Sequence, residues 1–402
     1  MQPGINSITI QNLLSFGEAL TIELRPLNVL IGPNGSGKSN LIEVLGLLQN
    51  APGDLATAIN NGGSIDDWLW KGAAKTPTAA IHVTVPRPAD SRDAGGQALR
   101  YRLAFTKAGY RFQIVSEFVE NDGPIPDQEG LDRGLVPPDF YYGYVNGNPM
   151  FVSGGEKVSL RLEATNPQLS ILAQRKDPEH YPEMTHLGNL FAKIRLYRDW
   201  EFGGLADVRE PCDAGLPNEY LEEDGSNLGV VLDRLLSRPE VKGQILESLR
   251  TFYEGARDLR TNVEGGKVQT RLEEAGLRST IPLVRMSNGT VHWLALLAIL
   301  LNPDPPPLVC IEEPELGLHP DMIRELAKLL IDASSRMQLV VTTHSDRLIE
   351  ELSEMPEAVV VCEKQNGSSI LRRLNRHELS SWLEEYSLGE LWTKGQLGGT
   401  RW

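Results

Sequence analysis

Residues Gly32-Pro33-Asn34-Gly35-Ser36-Gly37-Lys38-Ser39 fit the spacing G-x-x-x-x-G-K-[ST] at every fixed position. Glycines at these places let successive backbone N–H groups point into one concavity, which suits a β-phosphate. At this spacing Lys38 would bridge β- and γ-phosphate oxygens, and Ser39 would ligate Mg²⁺. A helix that starts at the loop adds the positive end of its dipole. Asn34, Gly35, Ser36, Gly37 and Asn40 complete the candidate nucleotide-binding set, and the chemistry is that of a nucleotide triphosphate with Mg²⁺.

Two further sites gain meaning from that loop. Leu308-Val309-Cys310-Ile311 is an apolar run that ends in Glu312-Glu313. A buried strand ending in surface acids is common by itself. Beside a phosphate loop, however, the first carboxylate would face the metal and the second the attacking water. This reading sets the strand next to the one that feeds the loop. Val340-Val341-Thr342-Thr343 ends in His344. A lone strand-terminal histidine carries no special job, but at this distance past paired carboxylates it is a candidate to polarise the γ-phosphate. Ser287-Asn288-Gly289 stands just before a helix, where one geometry serves both an N-cap and an anion site.

The elements that must hold these residues are readable in outline. Ile8 and Ile10, then Leu20, Ile22 and Leu24, alternate around Ser15-Phe16-Gly17 and predict a hairpin. Leu27–Ile31 predicts a short strand running into the loop, and Asn40–Leu48 a helix. From Ala80 to Leu162 the pattern is strand-rich and predicts a β-meander, closing with Val158-Leu160-Leu162. Residues 166–278 mix helical stretches (187–196, 227–236 and 241–252) with Pro and Gly punctuation and sustain no heptad. After Pro282 helix and strand alternate, which implies a parallel sheet flanked by helices. The predicted division is 1–165 (loop-bearing lobe with the meander), 166–278 (mainly helical insertion), 279–375 (lobe with the carboxylates and histidine) and 376–402 (C-terminal helix and tail).

Composition narrows the function classes. The chain has 402 residues, 41% hydrophobic, with 39 Lys+Arg against 54 Asp+Glu and a net charge of −15. That apolar content supports real cores and argues against disorder. Gripping DNA over a whole surface would call for a basic protein, so any nucleic-acid contact must be local or arise in an assembly. Three widely spaced cysteines argue against a disulfide framework. The longest nearly apolar run, Val291–Leu301, is too short to cross a bilayer. With no signal-peptide pattern at the N-terminus, a cytoplasmic protein without a membrane partner is expected.

The order of phosphate loop, Ser-x-Gly helix, paired carboxylates and His-ended strand resembles the ATP-binding-cassette ATPases. The opening Asn12-Leu13-Leu14-Ser15-Phe16, the loop GPNGSGKSN, the run Glu312-Glu313-Pro314-Glu315-Leu316-Gly317-Leu318-His319-Pro320 and Thr343-His344-Ser345 resemble its RecF, SMC and OLD-like branch. Asp224-Gly225-Ser226-Asn227-Leu228 and 386–392 look like stand-alone bacterial ATPases close to the OLD family. The resemblance implies an α/β P-loop NTPase: an ABC-ATPase head with an antiparallel β-subdomain and a mainly helical insertion. It puts Lys38 and Ser39 on phosphate and Mg²⁺, Glu312 in the Walker B place, Glu313 as general base and His344 as switch histidine. Ser287 and Gly289 become signature residues acting on a second copy's ATP, with Leu316–His319 at the dimer interface. Glu312 stands where many relatives have Asp. Gln113, after an apolar strand, is the only candidate singled out for the Gln that cassette ATPases use to contact Mg²⁺.

The implied function is Mg²⁺-dependent ATP hydrolysis by a homodimer, an ATP sandwich that could enter a higher assembly. It would serve as regulatory subunit in DNA maintenance or anti-phage defence beside a separately encoded effector. OLD-type relatives often append a Toprim nuclease, and the 58 residues after His344 are too few for one, so no intrinsic nuclease is expected. An ATP-gated nucleic-acid clamp is the alternative; an ABC transporter subunit fits less well.

Overall fold

Ser7–Gln11 (β1) and Leu20–Glu23 (β2) pair antiparallel, with Ile8 opposite Ile22 and Ile10 opposite Leu20, as the alternation predicts. Leu27–Ile31 (β3) leaves this hairpin for a second sheet and is buried throughout. Ala79–Val85 (β4), Leu99–Ala108 (β5), Arg111–Asn121 (β6), Phe140–Val145 (β7), Asn148–Ser153 (β8) and Glu156–Val158 (β9) then form the meander. With the hairpin they make an antiparallel sheet in the order β2-β1-β4-β5-β6-β7-β8-β9. In β4 Ala79, Ile81, Val83 and Val85 are buried while the residues between are half-buried, the period-2 signature of one core-facing side. The computed structural model describes residues 4–87, 96–123, 140–145, 148–153, 156–158, 166, 168–204 and 206–398. Leu160 and Leu162 of the last predicted strand lie outside them.

The second sheet carries the loop. Arg195–Tyr197 (β10), Leu308–Glu312 (β15), Gln338–Thr342 (β16) and Val359–Gln365 (β17) run parallel with β3, and Ser368–Arg373 (β18) closes one edge antiparallel. The order is β10-β15-β16-β3-β17-β18. This corrects the expectation that the carboxylate strand adjoins the loop strand: β16 lies between them, with Glu312 opposite Thr342 and Thr342 opposite Leu30. The helix Ile323–Ser334 connects β15 to β16, and a short crossover of that kind returns the chain beside the strand it left.

Alternating side chains leave this sheet for two cores. Val29, Ile31, Val309, Ile311, Leu339 and Val341 meet one core, where the helix Asn288–Leu300 is buried from Thr290 to its end. Leu30, Leu308, Cys310, Val340 and Val360 meet the other, shared with the helix Lys38–Asn50 and the inner side of the antiparallel sheet. Each fully buried Leu or Ile contributes about 2 kcal/mol there. Cys212, Cys310 and Cys362 are buried and free.

The stretch 166–278 holds helices Ile171–Gln174, Pro182–Ala192, Leu228–Leu236 and Pro239–Arg250. It also holds strands that the sequence reading missed. The helix predicted to reach Leu196 stops at Ala192, and Arg195–Tyr197 becomes β10, because pairing with Val309–Ile311 buries Leu196 and Tyr197. Cys212–Asp213 (β11), Ala256–Glu264 (β12), Lys267–Glu274 (β13) and Ile281–Pro282 (β14) form a small antiparallel sheet. Gly265 and Gly266, both at positive φ, turn the chain between β12 and β13. Beyond β18, Trp392 is buried in the first core, Trp382 is exposed, and Trp402 lies outside the described residues. No helix among the described residues is long and apolar enough to cross a membrane.

Candidate functional site

Gly32 and Gly37 shape the loop between β3 and its helix. Both have positive φ, 146° and 105°. A Cβ at Gly32 would lie 2.2 Å from the Cys362 carbonyl oxygen, and one at Gly37 would lie 2.3 Å from Ser369 Oγ. Only glycine fits either place. The helix Lys38–Asn50 begins with Gly37 as its N-cap, so no side chain caps it and no acid occupies its first turn. Its first N–H groups are left for an anion. Ser36 Oγ is buried without a hydrogen-bond partner among the described residues. Lys38 Nζ donates to the Gly32 and Pro33 carbonyls at 2.8 and 3.1 Å, and burial pulls its ammonium below the usual lysine range. Asn34 and Gly35 are exposed at the loop tip, and Asn40 is half-buried in the helix.

β15 and β16 bring the acidic groups to this loop. Ser39 Oγ donates to Glu312 Oε2 at 2.9 Å. Glu313 takes a left-handed backbone, φ 45°, uncommon for a residue with a Cβ. Its N–H is fixed by the Thr342 carbonyl at 3.0 Å, and its Oε1 lies 3.6 Å from His344 Nε2. Lys38, Ser39, Glu312, Glu313 and His344 therefore meet around one loop. Ser287 and Gly289 sit elsewhere. Ser287 caps the helix Asn288–Leu300 by accepting from Thr290 N–H at 3.1 Å, the N-cap role. A Cβ on Gly289 would stand 3.4 Å from the Gly317 carbonyl oxygen. Among the described residues, no hydrogen bond ties either to the phosphate loop. Gln113 is exposed on β6, opposite Thr106, in the sheet that lacks the loop, so the structure gives it no contact with Ser39 or Glu312.

Several residues at the site were given no role by the sequence. Arg198 Nε donates to Glu312 Oε1 at 2.9 Å, and Trp200 Nε1 donates to the Glu312 carbonyl at 2.8 Å. Glu315 accepts from Thr343 Oγ1 at 2.6 Å and from His344 N–H at 2.9 Å, which fixes the turn that presents His344. Burial holds the Glu315 carboxyl above the usual carboxylate range. His292 Nδ1 donates to the Leu316 carbonyl at 2.9 Å, since that oxygen can only accept. Burial drives the His292 pKa down to about 4, so the ring is neutral, and its centroid lies 4.5 Å from Phe202 and 4.7 Å from Trp200. Arg209 donates to the Met286 carbonyl at 2.7 Å and to Asn288 Oδ1, bracketing Ser287. An open cavity of about 630 Å³ lies between Trp200, Phe202, Asn288, Leu316 and Gly317. Trp200 thus touches the carboxylate strand on one side, while through His292 it reaches the helix behind Ser287 and the loop at Leu316.

Comparison with known proteins places this geometry. Residues 27–350, most of the chain, match the family model described as "AAA domain, putative AbiEii toxin, Type IV TA system". Over 83 residues the chain is 30% identical to the chromosome partition protein Smc of Mycolicibacterium paratuberculosis (strain ATCC BAA-968 / K-10), and equally to that of Mycobacterium tuberculosis (strain ATCC 25618 / H37Rv). The matched stretch is 20% of this chain and 7% of either relative, so the chain spans a small part of their length. Among solved structures it is similar to an Smc head bound to the C-winged helix domain of ScpA, with TM-score 0.57 and 14% identity, covering 94% of this chain and 99% of that one. An Smc head with an extended coiled coil, bound to the C-terminal domain of ScpA derived from Pyrococcus furiosus, aligns with TM-score 0.54 and 14% identity over 95% and 99%. The fold is that of SMC-type P-loop ATPase heads.

Proposed function

Because the chain belongs to this AAA-domain family and has the fold of SMC heads, we propose that it hydrolyses Mg²⁺-ATP as a homodimer that sandwiches two nucleotides. The observation that carries the reading is the 2.9 Å bond from Ser39 Oγ to Glu312 Oε2, which joins a hydroxyl and a carboxylate from distant segments beside the phosphate loop.

The residues present fit the nucleotide and its metal. The uncapped helix, the glycine cradle and the unpartnered Ser36 hydroxyl suit a phosphate. Ser39 and Glu312 would hold Mg²⁺, which supplies charge neutralisation at the phosphates. Lys38 binds phosphate oxygens, exchanging the two carbonyls it now holds. Glu313 accepts the proton of the attacking water, and His344 donates toward the γ-phosphate. Ser287, Gly289 and the N–H groups behind them complete the site of a second copy, because their own phosphate loop is not within their contacts. Nucleotide binding and turnover by wild type and Lys38→Ala test the reading. Wild type should bind and hydrolyse ATP with Mg²⁺ while the variant loses both; Lys38-independent turnover would overturn it.

The biological role follows the OLD-like resemblance: a cytoplasmic regulatory ATPase in DNA maintenance or anti-phage defence, acting with a separately encoded effector. The likeness to chromosome partition proteins supports the DNA side, and the ScpA-bound heads support a dedicated protein partner. Co-purification with the products of neighbouring genes tests this, and recovery of the ATPase alone counts against it. The Smc likeness also favours a second reading, an ATP-gated nucleic-acid clamp. That reading requires salt-dependent DNA affinity that appears only with a non-hydrolysable ATP analogue.

A further inference from the structure

Arg198 touches the metal-facing carboxylate, yet the chemistry above gives it no part. It follows β10 directly, and the parallel register of Tyr197 with Ile311 sets it beside Glu312. Its Nε holds Glu312 Oε1 at 2.9 Å, and its Nη2 reaches Glu43 Oε1 at 3.4 Å. Ser39 Oγ already occupies the other Glu312 oxygen. Both candidate metal donors are thus engaged, one with the other, and the carboxylate charge is already met by a guanidinium.

A divalent cation and a guanidinium cannot both keep short contacts with one carboxylate without strong mutual repulsion. The Arg198 side chain is 34% exposed, so it has room to move. A second seat is at hand. Glu43 lies four residues after Ser39 in the same helix, hence on the same face, and already touches the far end of the guanidinium. A guanidinium keeps its proton in proteins, so Arg198 is a full cation in either seat.

We propose that Arg198 is a positioning residue that serves as the counter-cation of Glu312 before nucleotide binds and withdraws toward Glu43 when the metal arrives. Arg198 thereby sets how much divalent cation nucleotide loading requires. The proposal rests on the Mg²⁺-ATP reading.

The test is the anisotropy of a fluorescent ATP analogue at sub-saturating concentration, titrated with free Mn²⁺, on wild type, Arg198→Gln, Arg198→Lys and Glu43→Gln. Arg198→Gln should need about fivefold less Mn²⁺ at the midpoint, the scale of a partly exposed ion pair. Arg198→Lys should stay near wild type, and Glu43→Gln should need more Mn²⁺ because the guanidinium loses its second seat. Nucleotide affinity in EDTA should agree within about twofold across the set, since competition for the metal is then absent. An Arg198→Gln midpoint equal to or above that of wild type overturns the proposal and leaves the ATP reading intact. A wild type that binds no nucleotide overturns both.

Discussion

Glu313 Oε1 stands 3.6 Å from His344 Nε2, across the ends of two neighbouring strands. The contact depends on the left-handed backbone at Glu313 and on the bond that the His344 N–H donates to Glu315 Oε1. Glu313 is thereby held beside the phosphate loop, close enough for its charge to act on Lys38. Replacing Glu313 by Gln keeps its shape and removes the base, so turnover should fall by about 10²–10⁴ while ATP still binds. Single-turnover hydrolysis together with equilibrium binding measures both, and near-normal turnover would remove Glu313 from the chemistry.

Ser287 caps the helix Asn288–Leu300 by accepting from the Thr290 N–H, apart from the residues gathered at the phosphate loop. Ser287→Arg should bind nucleotide within about twofold of wild type, because the phosphate loop is untouched, and yet lose hydrolysis by blocking the second copy's γ-phosphate. Turnover at the wild-type rate would mean that the signature helix takes no part.

Gly37 has φ 105°, and its missing Cβ leaves room for Ser369 Oγ. Gly37→Ala should lower nucleotide affinity by at least about tenfold and stability by about 1–3 kcal/mol, through backbone strain and displacement of β18. Urea unfolding and nucleotide titration check the two effects separately, and an unchanged affinity would show that the loop tolerates a side chain there.

Away from the site, Glu117 lies wholly buried on β6, accepting from the Tyr101 hydroxyl at 2.7 Å and from Ile171 N–H at 2.9 Å. Burial raises its pKa from 4.5 to about 7. The folded chain therefore holds this proton where the unfolded chain has released it. The group's contribution is full below about pH 4.5 and is lost as pH rises through about 7, a change of up to about 3 kcal/mol. Glu117→Gln should flatten the pH dependence of the urea midpoint between about pH 5 and 8. An unaltered slope in that variant would assign the dependence to other groups.

The chemistry-bearing residues were legible because each lies in a short local pattern. The loop 32–39, the pair Glu312-Glu313 and His344 each end a strand whose apolar run is plain in the sequence. Their order in space was not, since nothing local to β15 says that β16 will separate it from β3. Arg198 and Trp200 escaped for the same reason, and Glu315, though inside the run 312–320, showed no role: their partners come from other segments of the chain. The β12–β13 hairpin had a readable signal in Gly265-Gly266 between alternating Leu259, Thr261, Val263 and Val268, Thr270, Leu272. The helical periodicity just before it outweighed that cue.

Dimerisation by ATP is tested most directly by light scattering on Glu313→Gln at saturating ATP and Mg²⁺, where nucleotide persists because turnover has stopped. The measured mass should be twice that of the 44.4 kDa chain with nucleotide and revert to a lower mass when ATP is removed, and adding Ser287→Arg should abolish the change. A Glu313→Gln protein that stays monomeric with ATP demonstrably bound would contradict the ATP-sandwich homodimer.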